Sequence, residues 1–177
     1  MRIISGKYRG RRLNTPKGFN ARPTTDFAKE NLFNILSVRY DFDEMTILDL
    51  FSGTGSIGFE FYSRGAAVVH MVEVNFKHFN FIKKCIATLD AEGAMAIHTN
   101  AKTFLKGYRQ KYDIVFADPP YNLPWLETIP DLVFKAGALK KDALFILEHP
   151  KNFNFNSHRF FSEHRNYGSV NFTFFQL

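Results

Sequence analysis

A chain of 177 residues that is 45% apolar and 23% charged is long enough to bury one sizeable core. No apolar run approaches the ~20 residues of a membrane span, which argues against an integral membrane protein and makes a cytoplasmic location the default. The formal charge of +6 is unevenly spread: residues 1 to 22 hold Arg2, Lys7, Arg9, Arg11, Arg12, Lys17 and Arg22 with no acid, while the remainder is close to neutral, so the excess is a local signature for a polyanion.

Within that basic segment Gly6 and Gly10 bracket Lys7-Tyr8-Arg9, and Ile3, Ile4 and Leu13 flank them. This pattern predicts a small β-hairpin or basic loop, and its apolar residues weigh against a disordered leader. Thr24 or Thr25 can then cap a helix in which Ala28, Leu32, Ile35 and Leu36 fall on one face. The order continues as strand 46–51, helix from about 56, strand 68–73, helix 75–89, strand 95–99, short helix 101–106, strand 113–117, helix 124–136 and strand 143–148. Strands alternating with helices predict an α/β protein with a parallel sheet. The tail differs, because the aromatic runs at 158–161 and 170–175 are separated only by a turn near Asn166-Tyr167-Gly168, which predicts a hairpin. Most of the 21 phenylalanines fall on these strands or on apolar helix faces and are assigned to the core. No internal repeat or linker interrupts the chain, so residues 1–177 read as one domain with 1–22 as a basic, polyanion-contacting extension.

Two motifs carry the chemistry. Ile47-Leu48-Asp49-Leu50-Phe51 reads as a buried strand, and Ser52-Gly53-Thr54-Gly55-Ser56-Ile57-Gly58 as a glycine turn opening a helix. Gly53, Gly55 and Gly58 satisfy the dinucleotide fingerprint, and Glu73 ends the next apolar run at the spacing of a ribose-binding carboxylate. Asp49 argues against NAD, since a carboxylate beside the loop would repel the pyrophosphate. S-adenosyl-L-methionine carries an ammonium and a sulfonium and no phosphate, so Asp49 near its methionine end and Glu73 on its ribose match its charges. The glycines let the backbone approach closely, which assigns Phe51, Ser52, Gly53, Thr54 and Gly55 to the cofactor.

The second motif is Asp118-Pro119-Pro120-Tyr121, directly after Ile114-Val115-Phe116-Ala117. The prolines hold the Asp118 carboxylate and the Pro119 carbonyl with little freedom at the end of a strand. Two acceptors beside an aromatic face suit an exocyclic base amine, whose lone pair is otherwise delocalised into its ring. Tyr121 would stack on the extracted base. Both motifs lie at carboxyl ends of parallel strands, where ligands bind in open α/β sheets.

With these elements together the chain resembles the RsmD-type small-subunit rRNA (guanine-N2)-methyltransferases, a family of class I S-adenosylmethionine-dependent methyltransferases. The likeness spans nearly the whole chain. It rests on Arg2-Ile3-Ile4-Ser5-Gly6-Lys7-Tyr8-Arg9-Gly10, on Arg22-Pro23-Thr24-Thr25-Asp26 leading to Asn31-Leu32-Phe33-Asn34-Ile35-Leu36, and on the two motifs above. The resemblance implies a Rossmann-like seven-stranded, mostly parallel sheet with helices on both faces and a C-terminal antiparallel hairpin. It also implies ribosomal RNA or the small ribosomal subunit as partner and N2 of a flipped guanine as target, with Arg2, Lys7, Arg9, Arg11, Arg12 and Arg22 on phosphates. The family carries an acid after the third strand for the adenine amine; Asn100, followed by Ala101, stands there and can accept the same hydrogen bond less strongly. After Asp26 the family continues with an arginine and a second basic position, whereas here Phe27-Ala28-Lys29-Glu30 leaves that phosphate contact either missing or to Lys29.

Cys85 is the only cysteine and lies on the helical stripe of Phe79, Ile82 and Ile86, so it reads as structural, and the six histidines lack metal-site spacing. Other targets for the same claw are a DNA adenine N6 amine or a protein glutamine amide, and the basic arm disfavours only the protein. An NAD-dependent oxidoreductase and a non-catalytic nucleic-acid-binding module are the readings from other classes.

Overall fold

The computed structural model describes residues 1–15, 26–107 and 109–177, and one seven-stranded sheet organises them. The elements run α1 (Asp26–Arg39), β1 (Thr46–Asp49), α2 (Ser56–Ser63), β2 (Val68–Glu73), α3 (Phe76–Leu89), β3 (Ala94–His98), α4 (Ala101–Gly107), β4 (Tyr112–Ala117), α5 (Ile129–Lys135), β5 (Leu139–His149), β6 (Phe161–Tyr167) and β7 (Val170–Gln176). Strand order is β3-β2-β1-β4-β5-β7-β6. Pairing is parallel through β5, and β7 inserts antiparallel between β5 and β6. The order reverses between β1 and β4, which opens a crevice at their carboxyl ends.

Alternation along each strand sends side chains to two cores. Ile47, Ile114, Phe116, Ile146, Phe172 and Phe174 pack with α1, α2 and α3 on one face, while Leu48, Val115, Ala117, Phe145, Leu147 and Phe175 pack with α4 and α5 on the other. Phenylalanine fills both cores as expected, with Phe33, Phe59, Phe61, Phe116 and Phe145 fully buried. Asn75 caps α3 by accepting from Lys77 N and His78 N, which fixes the entry point of that helix beside Glu73.

Three boundaries depart from the sequence reading by three residues or more, and the strand expected over 46–51 ends two residues early, at Asp49. The helix expected over 124–136 is a 3₁₀ turn, Leu126–Thr128, followed by α5, with Pro130 in the first α-helical turn where its missing N–H is tolerated. β5 begins at Leu139 because Leu139 pairs with Tyr112 before a register shift. The first arm of the tail hairpin is 161–167, not 158–161. It is an edge strand, blunted by Glu163 with Arg39 and Arg165, so its composition is polar where an aromatic run was expected.

The N-terminal arm is folded and docked. Arg2 and Arg12 form an antiparallel bridge, and Ile3, Tyr8 and Leu13 are buried against the domain. Ile4 N and Ser5 N donate to the buried Glu60 of α2 at 2.8 and 3.0 Å, and Tyr8 N donates to Ser63 Oγ at 3.0 Å. Lys29 is fully buried and donates to Arg2 O at 2.7 Å and Ser56 Oγ at 3.1 Å, with Glu60 at 3.7 Å. It therefore cannot supply a phosphate contact, and that expectation is corrected: its charge ties α1 to the arm and to the start of α2. Lys17, Arg22, Thr24 and Thr25 lie outside the described residues.

Candidate active site

A cavity of about 760 Å³ opens at the carboxyl ends of β1, β2, β4 and β5. It brings together nearly every residue singled out for cofactor or base: Asp49, Phe51, Ser52, Gly53, Thr54 and Glu73 on one side, Asn100 and Ala101 at the head of α4, and Asp118 through Tyr121 on the other. Gly55 supports this wall from behind. It adopts φ of 76°, and a Cβ there would stand 2.8 Å from the Phe59 ring and 3.1 Å from Met71 Sδ, so the loop can lie flat on α2 and β2 only with glycine.

The polar groups of the glycine loop point to a cation. Gly53 N donates to Glu73 Oε2 at 2.7 Å, Gly58 N to Asp49 Oδ2 at 3.0 Å and Gly55 N to Ser52 O at 2.6 Å. The N–H groups that would cradle a pyrophosphate are engaged by the protein's own acceptors, two of them carboxylates. This rejects NAD more firmly than the position of Asp49 alone. Burial pushes the Asp49 carboxyl up to about 7, Gly58 N–H works against that rise, and the nearby Glu73 adds to it. Two carboxylates repelling one another beneath a close-approach loop fit the ammonium and ribose of S-adenosylmethionine. Glu73 is held by Asn75 N at 2.6 Å as well as by Gly53 N, and each of its oxygens retains acceptor capacity for a hydroxyl. Asn100 lines the cavity, but its Oδ1 also accepts from Thr103 N at 2.8 Å, so it doubles as the cap of α4.

On the opposite wall Asp118 is half-buried and Pro119 buried, one and two residues past the last β4–β5 pair, Ala117 with Leu147. Leu123 N closes a turn onto Pro120 O at 2.9 Å, which fixes the loop. Tyr121 donates its hydroxyl to Glu148 Oε1 at 3.1 Å. Glu148, at 3% exposure and on the cavity wall, was not picked out from sequence. The available signal was its place: like Asp49 and Glu73 it is an acid at the carboxyl end of an apolar strand. Trp125, also overlooked, lines the cavity with Phe51 at 6.0 Å and carries Lys102 Nζ 4.2 Å over its ring.

The basic arm touches the glycine loop through Met1, whose Sδ lies 3.9 Å from Thr54 Oγ1. Arg9, Arg11 and Arg12 are exposed; Arg2 pairs with Asp26 at 3.4 Å, and Lys7 lies over the Tyr8 and Tyr62 rings. Cys85 is buried, and burial pushes its thiol up to about 11, which leaves it inert as a nucleophile.

The family model described as conserved hypothetical protein 95 matches residues 1–176. The Escherichia coli K12 protein named ribosomal RNA small subunit methyltransferase D is 38% identical over 149 residues, covering 84% of this chain and 74% of that relative. The Buchnera aphidicola protein of the same name is 35% identical over 154 residues, covering 87% and 78%. The solved structure of Escherichia coli yhhF superposes with a TM-score of 0.87 at 33% identity, covering 99% of this chain and 97% of that one. The sheet order, the acid-lined glycine loop and these likenesses agree: the chain belongs to the RsmD-type family of class I S-adenosylmethionine-dependent methyltransferases.

Proposed function

We propose that the protein methylates the exocyclic N2 amine of a guanine in small-subunit ribosomal RNA, using S-adenosyl-L-methionine. The observation that carries this reading is a single cavity holding both the acidic glycine loop and the Asp118-to-Tyr121 claw. The names of the curated relatives support the polymer, and the two acceptors of the claw support an amine.

S-adenosylmethionine, when bound, supplies a methyl group on a positively charged sulfur. Asp49 would face its ammonium, Glu73 would accept from its ribose hydroxyls, and Asn100 and the Ala101 backbone would border its adenine. The Asp118 carboxylate and the Pro119 carbonyl each accept one N–H of the guanine amine, which turns the nitrogen lone pair toward the methyl carbon. Once methylated, that nitrogen is strongly acidic and gives its proton to Asp118 or to water. Tyr121 stacks on the flipped base, anchored through its hydroxyl. Arg9, Arg11 and Arg12 hold the surrounding phosphates from the arm, with Arg2 and Lys7 beside them, and Arg22 is assigned the same role from its charge.

Labelled methyl transfer to small-subunit rRNA lacking the modification tests this, with digestion to nucleosides. N2-methylguanosine is the expected product, and N6-methyladenosine would overturn the choice of base.

A further inference from the structure

The claw explains how an amine is gripped but not why guanine is chosen, because adenine and cytosine also present exocyclic amines. The bases differ at the ring nitrogen beside the amine. Guanine carries a donor there, N1–H, whereas the corresponding nitrogens of adenine and cytosine are acceptors. An acceptor-only side chain adjacent to the claw therefore admits guanine and repels the other two.

Glu148 stands in that place. Ala117 and Leu147 are in register on neighbouring strands, so Asp118 and Glu148 follow side by side, and such strands lie about 4.8 Å apart. Both residues line the cavity, and Glu148 is buried within its wall at 3% exposure. Tyr121 Oη donates to Oε1 at 3.1 Å, which fixes the carboxylate relative to the ring that stacks on the base. A carboxylate has about four lone-pair sites, so one that holds the Tyr121 hydroxyl can also accept from a ligand.

We infer that Glu148 reads the guanine Watson–Crick edge by accepting N1–H while Asp118 and Pro119 hold N2. The inference rests on the guanine-N2 reading above and adds the residue that enforces it. If Glu148 only anchored Tyr121, its replacement would slow every base alike; a reader changes the ratio between bases.

2-Aminopurine separates the two roles, since it keeps the amine of guanine but has an acceptor at N1. After the modified position is mapped with the wild-type enzyme, rRNA is ligated with guanine, 2-aminopurine or adenine there and offered both naked and assembled into subunits. Wild type is expected to favour guanine over 2-aminopurine by about ten- to hundredfold in kcat/KM. Glu148→Gln, whose amide can donate to N1, is expected to narrow or reverse that ratio, and Glu148→Asp to keep the preference at a lower rate. Tyr121→Phe removes the hydroxyl that holds the carboxylate and is expected to weaken the preference without abolishing it, and the wild-type ratio together with Glu148→Asp keeps the inference readable if Glu148→Gln fails to fold. S-adenosylhomocysteine affinity and thermal melting of each variant report whether the cofactor half is intact. Equal use of guanine and 2-aminopurine by wild type would overturn the role of Glu148, as would an equal loss on both substrates in Glu148→Gln. A methylated adenine as the wild-type product would instead overturn the guanine reading, and this inference with it.

Discussion

Asp49→Asn gives a sharp test of the electrostatics beneath the glycine loop. Burial raises the Asp49 carboxyl from 3.8 to about 7, and at 1.36 kcal/mol per pKa unit this corresponds to roughly 4 kcal/mol between the protonated and ionised limits. Because the folded-state pKa lies above the unfolded one, the folded chain holds a proton that the unfolded chain releases between pH 4 and 7. The associated stability is full below about pH 4 and is lost as pH rises through 7. Asparagine keeps an oxygen for Gly58 N–H and cannot ionise. Without cofactor, the variant is therefore expected to gain on wild type as pH rises, by up to roughly 4 kcal/mol above pH 7, measured by urea unfolding from pH 5 to 8. His70 and His149, whose pKa values burial lowers, titrate in both proteins and cancel in the difference. Cofactor affinity should move the other way. Removing a charge-assisted hydrogen bond to an ammonium weakens binding by about 1.5–3 kcal/mol, a change that calorimetry with S-adenosylhomocysteine can read. A stability difference constant from pH 5 to 8 would refute the reasoning.

Asp118→Ala is expected to keep S-adenosylhomocysteine binding and lower the transfer rate about a hundred- to ten-thousandfold; wild-type turnover in single-turnover assays would remove Asp118 from the chemistry. Replacing Arg9, Arg11 and Arg12 by glutamine should weaken RNA binding and flatten its logarithmic salt slope by about 0.7–0.9 for each phosphate no longer neutralised, and an unchanged slope would free the arm of that role. Glu60→Gln leaves the buried Lys29 without its counter-charge and loosens the arm, at roughly 3–5 kcal/mol, visible as a lowered melting temperature. Trp125 is the only tryptophan and lines the cavity, so S-adenosylhomocysteine should change the intrinsic emission; an unaffected spectrum at saturation would place the cofactor elsewhere.

Legibility in the sequence followed the range of the forces involved. The runs at 68–73 and 113–117 are continuous and apolar because both faces of a central parallel strand are covered, and they appear as β2 and β4 within one residue. Helix α3 announced itself by the periodic stripe of Phe79, Ile82 and Ile86. Asp118 was found because prolines follow it, Asp49 because its strand leads into a glycine turn, and Glu73 because it ends the next apolar run at the spacing of a ribose-binding carboxylate. Glu148 belongs to no such motif: its place depends on β5 lying beside β4, a pairing made by residues about thirty positions away in sequence. Lys29 was misread for the same reason. On α1 alone it looks like a cation for solvent, and only the docking of the arm and α2 around it turns it inward. The edge strand β6 was displaced because solvent on one side erases the apolar run that identifies a buried strand.

A structure with S-adenosylhomocysteine and a guanine nucleoside bound tests most directly whether methyl donor and amine meet in one cleft. The expected result places the thioether sulfur above the loop at Gly53, with N2 held by Asp118 and the Pro119 carbonyl and facing that sulfur at a separation one methyl group can bridge. A nucleoside bound on another face, or an amine turned away from the sulfur, would contradict it.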